Sequence, residues 1–281
     1  MKEHEMKKLF AIAIGLFALP AFATFSVDLP IVTHAVGATA TFYTSMDVTN
    51  HTNQPTGVNF EYVSSDLSVD VSGTLVAALG PYGNFHTDDV LGTLASQGAI
   101  TQGQASSGFG TLLITFANPG FATGNEASVT VRVYNYLTAG QRPSVGLAYR
   151  GVVLRKNGSH ALSTVINNTT NATGNVPAVL TNLGLENVGI NDAGQGDSTP
   201  VTLQLTFYDP STGAQVGAQQ SVTLGPGQVT QINNVWGAYS LPASATALVL
   251  NVTETSGTAQ IRGYVSIKDV STNDGSFFFM Q

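Results

Sequence analysis

In VTLQLTFYD, residues 201–209, the apolar side chains Val201, Leu203, Leu205 and Phe207 alternate with Thr202, Gln204, Thr206 and Tyr208. A period of two puts the first set on one face of a strand and the second set on the other. The same alternation recurs in VTVRVYNY, with Val129, Val131 and Val133 on one face, and in AQIRGYVSIKD, with Ile261, Val265 and Ile267. Strands with one apolar and one polar face belong to antiparallel sheets that pack on one side. Turn clusters such as Asp209-Pro210-Ser211-Thr212-Gly213 separate them, and no long stretch has a helical period. The chain is therefore expected to be all-β and antiparallel, a sandwich or barrel.

The alternating segments come in two sets. LGPYGNFHTDDVLGTLA at 79–95 is restated as LGPGQVTQINNVWGAY at 224–239. Thr44–Asn50 matches Thr181–Asn187 at an offset of 137, Leu79-Gly-Pro81 matches Leu224-Gly-Pro226 at 145, and Arg132-Val-Tyr134 matches Arg262-Gly-Tyr264 at 130. The offset changes only across polar loops, as in a duplicated unit whose loops have drifted. Two tandem β-sandwich domains are predicted, over 24–148 and 149–281. In the repeated phrase, Thr87 and Asn233 are expected to cap a short helical turn, with Asp88 and Asp89 at its start. The chain's single tryptophan, Trp236, takes the place of Leu91 and is expected in the core.

Lys7 and Lys8 precede an apolar run from Leu9 to Leu19, followed by Ala21-Phe22-Ala23. This is the pattern of a secretory signal peptide over 1–23, so the protein is expected to be exported, to the periplasm, the cell surface or the medium. No later segment has the ~20 apolar residues of a membrane helix, so no transmembrane segment is expected. Losing three Lys and two Glu with the leader takes the net charge from −7 to −8. An acidic chain in which only 10% of residues are charged lacks the basic footprint of a nucleic-acid binder. It has no cysteine, and hence no disulfide framework.

The stretches IVTHAVGATATFYTSMDVTN, TNLGLENVG, FYDPSTGAQVG, LGPGQVTQINNVW and GYVSIKDVSTNDGSFFFMQ resemble a set of secreted bacterial proteins built from immunoglobulin-like β-sandwich modules. The resemblance is strongest over 179–281. It implies a bacterial exported protein with tandem immunoglobulin-like domains, and it carries no catalytic residues to this chain.

Motifs of chemistry are sparse. There is no G-x-S-x-G, H-E-x-x-H or P-loop. Beyond the leader, His86 beside Asp88 and Asp89 is the one local cluster of histidine and carboxylates, and the second copy has Gln231 in place of the histidine. No enzymatic activity and no cofactor are expected. The loop Asp192-Ala-Gly-Gln-Gly-Asp197 offers two carboxylates to a calcium ion, although a solvated polar loop is the favoured reading. Arg132, Tyr134 and Tyr136, with Arg262 and Tyr264, fall on the polar side of their strands. Such a stripe fits a sugar platform, a contact with a neighbouring domain, or a cross-strand ladder. After leader removal, Phe25, Val27 and Leu29 alternate in a terminal strand. That strand either pairs within its own sandwich or adds to a sheet edge of another copy, giving an open head-to-tail chain. The expected function is structural or adhesive, with itself, other surface proteins or polysaccharide as partner, and with filament assembly as one form of it. The alternative is a carbohydrate-binding module.

Overall fold

A computed structural model describes residues 25–36, 41–121, 123–136, 145–154, 156–169, 178–269 and 275–281; the leader expected over 1–23 lies outside them. The first half contains β1 (Ser26–Val36), β2 (Thr41–Asn50), β3 (Thr56–Ser64), β4 (Asp70–Leu79), β5 (Asn84–Thr87), α1 (Val90–Ser96), α2 (Gln102–Ala105), β6 (Gly108–Phe116), β7 (Ala127–Tyr136) and β8 (Val145–Arg150). After the short β9 (Val152–Val153), the second half contains β10 (Ala161–Asn167), β11 (Val179–Asn191), β12 (Val201–Tyr208), β13 (Gln220–Leu224), β14 (Val229–Ile232), α3 (Val235–Ala238), β15 (Ala247–Ser256), β16 (Ala259–Asp269) and β17 (Gly275–Phe279). The first half runs β4-β3-β6-β1 in one layer and β5-β2-β7-β8 in the other, joined where the end of β1 pairs with β2. The second half runs β13-β12-β15-β10 and β14-β11-β16-β17. Strand for strand, the two orders are the same, and every ladder is antiparallel. The architecture is an all-β antiparallel sandwich in which one strand order recurs in both halves.

The repeated phrases hold this frame together. Asn50 ends β2 and donates to the Gly80 carbonyl of the Leu-Gly-Pro turn, 2.9 Å away. Asn187 sits at the same place in β11 and donates to the Leu224 carbonyl at 3.3 Å and to Thr199 at 3.1 Å, while its own Oδ1 accepts from the Gly189 amide. Each asparagine thus ties a sheet of one layer to the turn leaving the other. Asn187→Ala would strand buried backbone groups, and a loss of about 1–3 kcal/mol is expected in urea unfolding. The helix caps lie later than the sequence suggests, by two residues in the first copy and by one in the second. Asp89 accepts from the Gly92 amide at 3.0 Å and Asn234 from the Gly237 amide at 3.2 Å. Thr87 instead bonds the Thr93 hydroxyl and the Asp89 carbonyl, and Asn233 is bonded by Gln231. Asn234 is left-handed, at φ 49°, a conformation asparagine tolerates better than most residues. Trp236 is 4% exposed inside the second apolar cluster, as its place in the repeat predicts.

The halves are packed against each other. The apolar cluster of the first half takes in Val229 and Tyr264 from the second, with Phe277 and Phe279 packed on it. Tyr149 of β8 stacks on Phe277 with centroids 4.8 Å apart, and Phe277 stacks on Tyr264 at 4.9 Å. Thr111 donates to the Gly227 carbonyl at 2.9 Å, and Gln228 donates to the Ser65 carbonyl at 2.7 Å. This seam explains why the two copies of the turn differ. Gly227 has a φ of +66°, and a Cβ there would lie 3.0 Å from a Val63 methyl. Its counterpart Tyr82 adopts φ 52° but is exposed. The left-handed position needs glycine only where the other half approaches it.

The N-terminal strand is not a free assembly strand. Phe25, Val27 and Leu29 are buried in the first cluster. Val27 is paired on both sides, with Ile114 of β6 and Val153 of β9, so its backbone has no edge to offer another copy.

Candidate functional site

The outer face of β5-β2-β7-β8 has a counterpart, the outer face of β14-β11-β16-β17, that lies in the seam. Matched ladders make the comparison residue by residue. Asp47 pairs with His86 and Thr130, where Gly184 pairs with Gln231 and Tyr264. Thr49 pairs with Asn84 and Ser128, where Glu186 pairs with Val229 and Arg262. Positions that hold Val229, Gly184 and Tyr264 in the seam therefore hold Asn84, Asp47 and Thr130 in the first half. Asp47 and Thr130 belong to an open recess of about 390 Å³ that is also lined by Ser45, His86, Asp88, Arg132 and Tyr134, among others.

His86 organises the recess. Its Nδ1 is 2.9 Å from Asp47 and its Nε2 is 3.0 Å from Asp88. Two acceptors on opposite ring nitrogens favour the doubly protonated imidazolium, and the bonds to Asp88 and then Asp47 raise the His86 pKa above its ordinary value. Arg132 is exposed, and lies over Gly146, where a Cβ would come within 2.6 Å of its Nε. With His86 charged, the four ionic groups Asp47, Asp88, His86 and Arg132 balance, so the recess presents carboxylate acceptors and guanidinium donors without net charge. Asp47 and Asp88 engage opposite nitrogens of one ring, which leaves no common point for a metal ion. Among the described residues no group of three His, Cys, Asp or Glu side chains is placed to hold one.

The arginine–tyrosine stripe does not form as the sequence suggests. The ladders equate Arg132 with Ser266 and Arg262 with Ser128, an offset of 134 rather than 130, so the two Arg-x-Tyr motifs are not equivalent. Arg132 alone lies exposed in the recess. Tyr134 is 6% exposed and donates its hydroxyl to the Asp88 carbonyl at 2.6 Å, supporting the recess from beneath. Tyr264 is 1% exposed and Arg262 is bonded to Asp28 at 2.6 Å, both within the seam. The side chain of Tyr136 lies outside the described residues. A platform of coplanar exposed rings is therefore not built from Tyr134 and Tyr264.

Asp192 and Asp197 are each tied to partners of their own. Asp197 accepts from the Thr199 amide and hydroxyl and from Thr258. Partial burial works to raise its pKa, but these donors outweigh it and hold the carboxyl below the ordinary range. Asp192 lies 3.2 Å from His160 Nε2, while His160 Nδ1 meets the buried carboxylate of Glu254. This second histidine between two acids was hidden in the sequence, because Glu254 lies 94 positions away. Glu254, then Asp192, raises the His160 pKa above 6.5, with burial opposing them. A raised folded-state value stabilises the fold fully below pH 6.5 and loses that contribution as pH rises through the folded value. His160→Gln is therefore expected to flatten the fall in melting temperature between pH 6 and 8.5, as read by circular dichroism.

No family model matches the chain, and no curated protein matches it. Among solved structures it is similar to the viral chemokine-binding protein R17 encoded by rodent gammaherpesvirus Peru, with 8% identity, 91% of this chain and 84% of that chain covered, and a TM-score of 0.17. Red sea bream transglutaminase gives 7% identity, 89% and 30% coverage, and a TM-score of 0.14. A β-glucuronidase of Bacteroides uniformis gives 8%, 92% and 26%, and 0.17. Similarity at this level carries no argument about function.

Proposed function

We propose that the chain is an exported, non-catalytic adhesion or structural module. In this reading one outer face is spent on joining its two sandwiches, and the equivalent face is left open to a partner. The observation that carries this reading is the divergence of the two matched faces. One holds Val229, Gly184 and Tyr264 at the seam, and the other holds Asn84, Asp47 and Thr130 on the face that carries His86 and Arg132. Catalysis finds little support at the recess, since both nitrogens of His86 face carboxylates and the Ser45 hydroxyl points to the Arg132 carbonyl. Filament growth by repeating the seam is disfavoured, because an apolar face would have to meet the charged one. The mix of paired acceptors and donors favours a hydroxyl-rich ligand, so polysaccharide is the partner we favour over a second copy. Beads coated with residues 24–281 should retain cell-surface polysaccharide. Arg132→Ala with Asp88→Asn should weaken retention about tenfold or more, as expected for losing charge-assisted hydrogen bonds. Equal retention by the variant would remove the recess from the account, and retention of nothing by either would sink the adhesive reading.

A further inference from the structure

Two buried carboxyl groups meet one half-buried guanidinium in the seam. Asp28 of β1 points away from its own core, between the inward Val27 and Leu29, and is 2% exposed. Glu186 and Arg262 face each other across the β11–β16 ladder, on the side that covers β1. Arg262 Nη1 donates to Asp28 Oδ2 at 2.6 Å and reaches the Val152 carbonyl at 3.4 Å. Glu186 is also 2% exposed and lies beside Asp28, and its Oε2 is buried without a hydrogen-bond partner. An ionised carboxylate buried with no donor on its oxygen is strongly disfavoured, so one of these two adjacent carboxyls holds a proton. Asp28 already has the Arg262 guanidinium, which assigns the proton to Glu186.

The matched ladders show that the trio belongs to the seam and not to the sandwich frame. The equivalents of Glu186, Arg262 and Asp28 in the other half are Thr49, Ser128 and Ser163, all neutral. The neighbouring titratable groups are two tyrosines. Tyr149 of β8 donates to the Ile31 carbonyl and Tyr264 of β16 donates to Gln231, and both are buried and neutral, so neither offsets a second negative charge.

We infer that the seam is a proton-dependent latch, in which Glu186 donates its proton to Asp28 and the halves loosen when that proton is lost. Below its loss, one carboxylate faces one guanidinium. Above it, two buried carboxylates share a single guanidinium and repel each other. Burial, with the charge of Asp28 added, moves Glu186 well above its ordinary 4.5, and burial likewise raises Asp28 against the pull of Arg262. The latch therefore contributes fully below about pH 4.5, and its contribution falls as pH rises through the folded-state value.

The test compares the melting temperature of the full chain with those of Glu186→Gln and Asp28→Asn from pH 5 to 9.5, together with the radius of gyration from small-angle scattering. Glutamine still donates to Asp28 but carries no titrating proton. Asparagine leaves one carboxylate for one guanidinium at any pH. Glu186→Gln should melt close to the wild type at pH 5, pull ahead by about 3 °C per pH unit as pH rises toward the folded-state value of Glu186, and hold that lead once Glu186 has ionised. Should Glu186→Gln not fold, Asp28→Asn carries the same expectation of a flatter profile. The wild type should expand at high pH and the variants should not. Parallel melting curves across the range would overturn the latch, as would a radius that stays constant while the wild type loses stability.

Discussion

Replacing Trp236 with alanine is expected to cost the folded state about 3–5 kcal/mol, the range for emptying a core aromatic site. The indole is 4% exposed in the cluster that also contains Val235, Leu241 and Phe207. It sits on α3, two residues after the left-handed cap at Asn234, so the backbone there has little freedom to collapse into the space. Its Nε1 donates to the Ala245 carbonyl at 2.8 Å, and truncation strands that acceptor as well. Trp236→Phe keeps most of the volume and should lose only about 1–2 kcal/mol, chiefly through the hydrogen bond. Urea unfolding followed by circular dichroism measures both. A near-neutral alanine variant would mean that the tryptophan is not holding the end of the second sandwich closed.

A comparable loss, about 3–5 kcal/mol, is expected for Tyr264→Ala. This side chain belongs to the second half by sequence and to the apolar cluster of the first half by packing. Its ring stacks on Phe277, its hydroxyl donates to Gln231 at 3.0 Å, and it lies flat over Gly184, where a Cβ would come within 2.0 Å of the ring. Removing it opens a void in the seam beside Tyr149 and exposes the first half's core on that side. Gly184→Ala attacks the same contact from beneath, by pushing the ring off the sheet. Both variants should lower the urea midpoint. If Tyr264→Ala proved nearly neutral, the seam would be a loose contact and not part of the core.

Strand periodicity and the duplicated phrases made the sandwich and the burial of Trp236 legible from sequence, because both follow from local chemistry. What alternation cannot tell is what covers the polar side of a strand. Arg262 and Tyr264 point away from their own sandwich and are covered by the first half, whereas Arg132 on the equivalent face is exposed. The Arg-x-Tyr coincidence misled for a related reason. Two short motifs matched at an offset of 130, whereas the ladders run at 134, and only hydrogen-bond register distinguishes the two. The Glu186–Asp28–Arg262 trio and the His160–Glu254 pair join residues far apart in the chain, so no spacing rule could find them. The terminal strand was legible as a strand, while its two-sided pairing depended on β9, which is two residues long and has no pattern of its own.

The central claim is that the seam makes the two sandwiches one cooperative body that presents the open recess as a unit. Trp236 is the single tryptophan and lies wholly in the second half, so its fluorescence reports that half alone, whereas far-UV circular dichroism reports the strands of both. Followed together through urea unfolding, the two signals should trace one coincident transition, as a two-state unit requires. A fluorescence transition complete while about half of the dichroism amplitude remains, or the reverse order, would contradict the claim.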